Sequence, residues 1–222
     1  MAMELYWGSG SPFAWRALLA LEWKNIPYTS KLIQFSKGEH KAPSYLAMNP
    51  RGKVPVLKDG DVTVYETLAI MQYLEKKNPE PALFGKNATE AAGIWREISE
   101  CQYYFENPAF AVIAPVFFGG VDQKTAEMKA AAESMHAELA RLEKILSGKD
   151  WLVNNKPSAA DIWWYPEVML VERAGGADVA KPLNLDLASI SKRYPAIGRW
   201  RNRVETQLGY ERTFPPHWKQ AA

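Results

Sequence analysis

The segment Asn49–Thr67 constrains the fold most strongly, because two short β-rich runs flank a turn dipeptide within it. The runs are Val54–Leu57 and Val62–Tyr65, and Asp59-Gly60 between them suits the positive φ angles of a tight turn. Pro55 lies inside the first run and cannot donate a ladder hydrogen bond, so it belongs at a strand start or a sheet edge. The segment therefore predicts a β-hairpin.

The same hairpin offers groups that suit a peptide-like ligand. A cis Val54–Pro55 bond would turn the Val54 backbone N–H and C=O outward, where they can pair with an extended ligand. Glu66 supplies a carboxylate, and Thr67 places a hydroxyl at the start of a helical pattern, where free N–H groups favour an anion. These groups predict a peptide-like ligand site, and the alternative is a purely structural corner between hairpin and helix.

Sequence patterns elsewhere in residues 1–78 predict further strands and helices, which together with the hairpin give the order β-α-β-α-β-β-α. Ser11 and Pro12 have the residue types of a helix N-cap and a first helical position. The predicted elements outside the hairpin are a strand at Met3–Trp7, a helix from Pro12 to near Asn25, a strand at Ile26–Ile33, a short helix at Pro43–Met48 and a helix at Leu68–Lys77. We expect a mixed α/β domain over residues 1–78.

After a proline-rich linker, the sequence pattern predicts helices. The linker, residues 79–87, begins with helix-breaking prolines, and β patterns nearly vanish after it. Helical spacing predicts an all-helical domain over residues 88–222. Its first helix, Ala88–Phe118, should break or kink at Pro108 and Pro115. Further helices are predicted at Gln123–Leu146, after a capping box formed by Ser158 and Asp161, and from Pro195. The tail from Phe214 is expected to pack across the surface.

Composition narrows the class of protein. A net charge of +2 is too small to argue for nucleic acid or an anionic membrane surface as a partner. No apolar run approaches the ~20 residues of a membrane span, and the N-terminus lacks a signal-peptide pattern. The single cysteine, Cys101, excludes an internal disulfide and fits a reducing compartment. We therefore expect a cytoplasmic protein.

Several motifs together resemble a known family. Lys53–Leu57 followed by Glu66-Thr67, with Gly38–Lys41 and Asn49–Gly52 upstream, is similar to the glutathione-binding half of the cytosolic glutathione transferases. The resemblance is strong over residues 3–77 and closest to the serine-type classes, the phi-, tau- and theta-like members. It implies a thioredoxin-like N-terminal domain, an all-helical domain for a hydrophobic substrate, glutathione as cosubstrate without a metal, and a homodimer.

Ser11 is the candidate catalytic residue. In the serine-type classes, the hydroxyl directly before such a proline donates a hydrogen bond to the glutathione thiolate, and Ser11 occupies that place. The helix dipole favours the same negative charge. Ser9 and Tyr6 are rivals, since other classes use a tyrosine at the end of the first strand. Ser11 is otherwise a structural N-cap, a common role for serine.

The resemblance also assigns the two substrates to residues of this chain. His40 and Lys41 align with residues that hold the glycine carboxylate of glutathione, and Lys53 resembles the lysine of tau-like members. The other expected glutathione contacts are Val54, Pro55, Glu66 and Thr67. Aromatic side chains are candidates for the apolar pocket, although at helical spacing they are more often core residues: Phe13, Tyr103, Tyr104, Phe110, Phe117, Trp163 and Trp164.

The expected activity is conjugation of glutathione to a small hydrophobic electrophile. The absence of cysteine at the catalytic position argues against thiol-transferase chemistry. Cys101 is expected to be a buried or inert thiol. His136 and His217 have no partner pattern that would form a metal site or a nucleophilic triad. The alternatives are a glutathione-dependent lyase, etherase or isomerase on the same site, or a non-catalytic binder of hydrophobic ligands or scaffold.

Overall fold

In the computed structural model, which describes residues 2–207 and 209–221, the N-terminal part of the chain folds around a four-stranded sheet. The strand order is β2-β1-β3-β4. β1 (Met3–Trp7) pairs in parallel with β2 (Tyr28–Leu32) and antiparallel with β3 (Val56–Asp59), and β3 pairs antiparallel with β4 (Val62–Tyr65). Burial alternates along β1, because successive side chains face opposite sides of the sheet.

Three helices complete this sheet-containing part: α1 (Pro12–Trp23), α2 (Pro43–Leu46) and α3 (Thr67–Lys77). The order β-α-β-α-β-β-α matches the prediction from the sequence. β3 begins after Pro55 instead of at Val54, because the proline nitrogen cannot donate to the ladder. α1 is buried along most of its length, so it is a core element.

The hairpin turn lies one residue later than the sequence predicted. Asp59 is the last residue of β3 and pairs with Val62, so the two loop residues are Gly60 and Asp61. Gly60 has φ +60°, which a residue with a side chain rarely adopts. Asp59 instead accepts hydrogen bonds from the Tyr73 hydroxyl (2.7 Å) and from an α3 lysine, which ties the hairpin to α3.

The chain divides into two compact units, Met1–Leu83 with Gln207–Ala222, and Phe84–Thr206. The sequence placed all residues beyond 87 in the helical domain, whereas the structure groups the C-terminal segment with the sheet. The physical reason is an aromatic cluster within the first unit. The buried Trp15 of α1 meets the rings of Phe214 and Trp218 at centroid distances of 5.9 Å and 5.4 Å.

The second unit is helical. Its helices are α4 (Ala88–Glu100), α5 (Glu106–Phe118), α6 (Val121–Ser147), α7 (Ala159–Gly176), α8 (Ile190–Arg193) and α9 (Pro195–Glu205). α7 is buried along nearly its whole length and forms the centre of this core. A short helix, α10 (Tyr210–Thr213), follows in the first unit. Within residues 2–207 and 209–221, no helix is both long and apolar enough for a membrane crossing.

The sequence predicted that the helix would kink or end at Pro108 and Pro115, and α5 does not end at either proline. Pro108 lies in the first turn of α5, shortly after a π-helical turn, and Pro115 lies in the last turn. The irregularity falls earlier, at a π-helical turn over Cys101–Phe105, in which the Glu106 N–H reaches back to the Cys101 carbonyl. The long helical pattern is therefore split into α4 and α5 before Pro108.

The predicted capping box at the start of α7 is confirmed. Asp161 accepts at Oδ2 from the backbone N–H and the hydroxyl of Ser158, at 3.0 Å and 2.9 Å. Its Oδ1 accepts from the Leu152 N–H (3.0 Å) and the Trp200 indole (2.9 Å). Burial raises the pKa of Asp161 from 3.8 to about 6, even though these donors favour the carboxylate. One side chain thus joins the α7 N-terminus, the preceding loop and α9.

Candidate functional site

Ser11 lies at the N-terminus of α1 with its hydroxyl hydrogen available. It is the N-cap residue, in extended backbone conformation, and its Oγ accepts from the Ala14 N–H at 3.3 Å. That bond uses a lone pair of the oxygen and leaves the O–H to donate elsewhere. A donor hydroxyl beside the positive end of a helix dipole favours an anion such as a thiolate.

The two rival hydroxyls occupy different positions. The Tyr6 hydroxyl donates to Glu4 Oε2 at 3.0 Å, and its ring packs against Tyr45. Burial and this carboxylate raise the pKa of Tyr6. Ser9 Oγ lies 2.6 Å from Nδ1 of His217. Of the three candidates, Ser11 is therefore the one that lies at the helix N-terminus, and its hydroxyl hydrogen takes no part in the capping bond.

The start of α3 lies against the start of α1. Thr67 is the first residue of α3, and its buried hydroxyl donates to the Phe13 carbonyl of α1 at 3.1 Å. Because the hydroxyl proton is used in this bond, the anion-binding groups here are the first backbone N–H groups of α3, which have no intrahelical acceptors. Two helix N-termini, one capped by Ser11, thus lie next to each other.

Glu66 holds an unusual backbone conformation directly before this helix. Its φ is +70°, a region that residues with a side chain rarely adopt and that concentrates at functional sites. The side chain is 66% exposed, and its Oε1 lies 4.0 Å from Nε of Arg51. Glu66 therefore presents an accessible carboxylate beside the α3 N–H groups, where it can bind a ligand ammonium group.

The backbone before Pro55 is held by two buried side chains. The Lys53 carbonyl accepts from the Tyr45 hydroxyl and from Asn49 Nδ2, both at 2.8 Å. Burial raises the pKa of Tyr45 to about 12, so this hydroxyl stays a donor at neutral pH. The Val54–Pro55 bond is cis, as the sequence predicted, and Val54 precedes the paired residues of β3.

His40 and Lys41 belong to a short 3-10 turn, Glu39–Lys41, that packs against the segment before Pro55. A Cβ on Gly52, which has φ +59°, would come within 3.0 Å of the His40 carbonyl oxygen. Of the residues described, His40 has a buried Nδ1 without a hydrogen-bond partner, while Lys41 and Lys53 are exposed. The structure therefore brings the basic residues expected at the glycine carboxylate close to one another along the chain surface.

The predicted aromatic residues fall into two groups. Exposed rings are available for an apolar ligand or partner: Phe13 in the first unit, and Tyr103, Tyr104, Phe110 and Phe117 in the helical unit. Trp163 and Trp164 are only 2% and 0% exposed, and their indoles donate to Glu106 Oε1 and the Glu97 carbonyl. These two tryptophans are core residues of α7, which corrects their assignment as substrate contacts.

Other predicted features can also be located. Cys101 is buried within the π-helical turn, in keeping with an interior thiol. No group of three or more potential metal ligands occurs in the described part of the chain. Sequence reasoning missed Tyr45 and Asn49, and it missed His217 beside Ser9. Nothing in the local sequence signals these contacts, and the last joins residues 208 positions apart.

Comparisons with known proteins find similarity in both parts of the chain. A family model for the glutathione S-transferase N-terminal domain matches residues 10–77, and one for the glutathione S-transferase C-terminal domain matches residues 105–207. Glutathione S-transferase 1 of Zea mays is 35% identical over 159 residues, covering 66% of this chain and 72% of that protein. Maleylacetoacetate isomerase of Pseudomonas aeruginosa is 27% identical over 202 residues, covering 88% and 93%.

A solved structure extends the similarity to nearly the whole chain. The crystal structure of a glutathione S-transferase from the Antarctic clam Laternula elliptica superposes with a TM-score of 0.80 at 33% sequence identity. The match covers 99% of this chain and 95% of the clam chain. Both units and the elements that carry the candidate site are included. The chain therefore belongs to the glutathione S-transferase family.

Proposed function

We propose that this protein is a serine-type glutathione transferase, which stabilises the glutathione thiolate and conjugates it to small hydrophobic electrophiles. The observation that carries the proposal is the pair of adjacent helix N-termini, one with the Ser11 hydroxyl and the other with Glu66 and Thr67. This arrangement suits a ligand that has a thiolate and an α-amino acid group a short distance apart. Glutathione, γ-glutamyl-cysteinyl-glycine, is such a ligand.

The tripeptide would bind along the elements described above. The γ-glutamyl ammonium pairs with Glu66, and its carboxylate accepts from the first N–H groups of α3. The Val54 backbone, held before Pro55, pairs with the cysteinyl backbone in an extended arrangement. His40, Lys41 and Lys53 supply positive charge and donors for the glycine carboxylate.

The chemical step depends on ionising the thiol. A free cysteine thiol has a pKa of about 8.5, so only a few per cent is ionised at neutral pH. Ser11 lowers that pKa by donating to the sulfur, and a shift of about two units is worth ~2.7 kcal/mol. The thiolate then attacks an electrophilic carbon. In a displacement, the S–C bond forms while the leaving group departs with its bonding electron pair. In an addition, the S–C bond forms while the π electron pair of the double bond moves away from the attacked carbon, and the resulting anion takes a proton from water. Holding both reactants adds a proximity contribution.

Two assays test this proposal. Retention on glutathione-agarose separates a glutathione-binding protein from a scaffold with a vestigial site. Measured conjugation of a chlorodinitrobenzene-type electrophile distinguishes a transferase from a protein that binds glutathione without catalysis.

The similarity to a maleylacetoacetate isomerase favours one alternative, a glutathione-dependent isomerase on the same site. Isomerase turnover without conjugation would replace the transferase proposal, and loss of retention would contradict both.

Replacing Glu66 by alanine should weaken glutathione binding at least tenfold. A charge-assisted hydrogen bond contributes ~1.5–3 kcal/mol, which corresponds to about 10- to 150-fold in affinity. Glu66→Gln is the matched control, because it keeps the side-chain size and removes the charge, and it should lose most of the same affinity. Titration calorimetry measures both, and unchanged affinity in Glu66→Ala would contradict the assignment.

We also propose that the protein is a homodimer located in the cytoplasm, in which the first domain of one subunit meets the helical domain of the other. Support for association comes from exposed aromatic side chains of the helical unit, among them Tyr103, Phe110 and Phe118. Light scattering should give a mass near twice the 25.1 kDa of the chain. A monomer mass that does not change with concentration would contradict the dimer.

A further inference from the structure

The C-terminal segment Tyr210–Trp218 lies against the helix that Ser11 caps. Trp15 of α1 is 2% exposed, and its indole N–H donates to Thr213 Oγ1 at 2.9 Å. The rings of Tyr210, Phe214 and Trp218 surround it. These contacts attach the segment to α1 through buried apolar surface, which is the dominant source of stability for such packing.

An ion pair provides a second attachment. Glu22, near the end of α1, is buried and accepts hydrogen bonds from the guanidinium of Arg212 and from the Tyr28 hydroxyl. Glu22 raises the pKa of Arg212 by hydrogen bonding. With the Trp15 cluster, this pair fixes the position of the segment along α1 before the chain reaches His217.

The third attachment is made directly to the loop that carries Ser11. Nδ1 of His217 lies 2.6 Å from Ser9 Oγ. The His217 ring also lies against Gly10, where an added Cβ would come within 2.9 Å of its Cε1. Gly10 has φ +82°, so both the backbone conformation and the close approach of the ring require glycine.

This loop needs an external constraint. Gly8, Ser9 and Gly10 join β1 to α1, and glycine loses more conformational freedom on ordering than any other residue. A Ser11 N–H bond to the Gly8 carbonyl (3.2 Å) closes the turn from within. The Ser9–His217 contact adds a side-chain constraint from outside the turn. Catalysis by Ser11 depends on accurate placement of its hydroxyl, because misplacement of a catalytic group lowers the rate steeply.

We propose that His217 is a positioning residue, which holds Ser9 and thereby the Gly8–Ser11 turn so that the Ser11 hydroxyl addresses the glutathione sulfur. The C-terminal segment would thus be part of the catalytic apparatus without touching substrate. The effect on the sulfur rests on the proposed function. The ordering of the turn by His217 does not, and it can be measured in the protein without any ligand.

The test begins with His217→Ala and Ser9→Ala. Each should lower kcat for conjugation about three- to tenfold, the range expected for one net hydrogen bond, with KM for glutathione changed less than about twofold. Each should also raise the pKa of bound glutathione. Ser9→Ala leaves the packing of the C-terminal segment intact, so it tests the contact even if His217→Ala loosens that segment.

Two further variants separate positioning from simple stability. The double variant should lose no more activity than either single one, because both remove the same contact. His217→Asn should recover most of the activity, since its amide oxygen can occupy the place of Nδ1. His217→Gln, whose amide lies one carbon further out, is the matched control and should recover less. Additive losses in the double variant, or equal activity of the asparagine and alanine variants, would overturn the proposal.

Hydrogen exchange distinguishes failure of this proposal from failure of the proposed function. In ligand-free protein, His217→Ala should weaken protection of the Ser11 amide, which bonds to the Gly8 carbonyl, at least about threefold, while protection in β1 and the middle of α1 stays unchanged. Unchanged protection of the turn would reject the positioning role even if the enzyme conjugates glutathione. If His217→Ala weakens protection of the turn but the protein does not bind glutathione, only the proposed glutathione transferase function is rejected.

Discussion

Replacing Ser11 by alanine is expected to lower kcat at neutral pH by about 10- to 100-fold while the affinity for glutathione changes little. The hydroxyl donor at the sulfur is lost, whereas the Val54 backbone, Glu66 and the α3 N–H groups remain in place. The pKa of bound glutathione should rise by one to two units, roughly 1.4–2.7 kcal/mol. The thiolate fraction at neutral pH then falls, and activity should recover as the pH is raised through the new pKa.

The measurement is the ultraviolet absorbance of the thiolate in the bound complex as a function of pH. Tyr6→Phe and Ser9→Ala are the comparisons, and Tyr6→Phe should have little effect because its hydroxyl donates to Glu4. Ser9→Ala should shift the curve less than Ser11→Ala. A wild-type curve for Ser11→Ala, with the shift in Tyr6→Phe, would move the protein to the tyrosine-type classes.

A control is needed because Ser11 is also the N-cap of α1. Removing that cap costs about 1 kcal/mol of stability, which could lower activity indirectly. Ser11→Asp keeps an acceptor for the Ala14 N–H but replaces the donor with a negative charge. It should therefore be about as stable as the wild type and at least as inactive as Ser11→Ala. An active Ser11→Asp variant would contradict the role of the hydroxyl.

Asp161→Ala is expected to lower the free energy of unfolding by about 3–5 kcal/mol, the largest effect on stability that we predict for a single substitution. Four donors converge on this buried carboxyl group, from Leu152, Trp200 and twice from Ser158. Alanine leaves them buried without an acceptor. Chemical denaturation monitored by tryptophan fluorescence would measure the change, and a loss below about 1 kcal/mol would contradict this account.

Asp161→Asn is the matched control and also reports on protonation. Its Oδ1 can still accept from Leu152 and Trp200, and its amide can donate to the Ser158 hydroxyl, so only the bond from the Ser158 N–H is lost. The loss should be about 1–2 kcal/mol at neutral pH. The folded-state pKa of Asp161, about 6, lies above its ordinary value of 3.8, so the folded protein binds this proton more tightly than the unfolded chain.

The sign of the pH dependence follows from that order of pKa values. The stability linked to the Asp161 proton is fully present below about pH 4 and is lost as the pH rises through 6. The asparagine side chain does not titrate. The difference in free energy of unfolding between wild type and Asp161→Asn should therefore be larger near pH 4 than near pH 7. The opposite trend would mean that the four donors outweigh burial and keep the carboxylate charged.

Features fixed by neighbouring residues could be predicted from the sequence. The helix start at Ser11 and Pro12 and the capping box of Ser158 and Asp161 depend on contacts within one turn. The hairpin depends on a glycine at the turn, although its loop lay one residue later than predicted. The domain bounds and the candidate glutathione residues were expected from these local motifs and from their resemblance to a family, and the glutathione residues stay predictions.

Features that join distant residues were decided by the tertiary structure. Helical spacing is the same for a core ring and an exposed one, so only packing shows that Trp163 and Trp164 are interior while Phe110 is exposed. The Thr67–Phe13 bond, which brings two helix N-termini together, has no local signature. The same holds for His217, which reaches the Ser9 loop only because an aromatic cluster around Trp15 folds the C-terminal segment back onto α1.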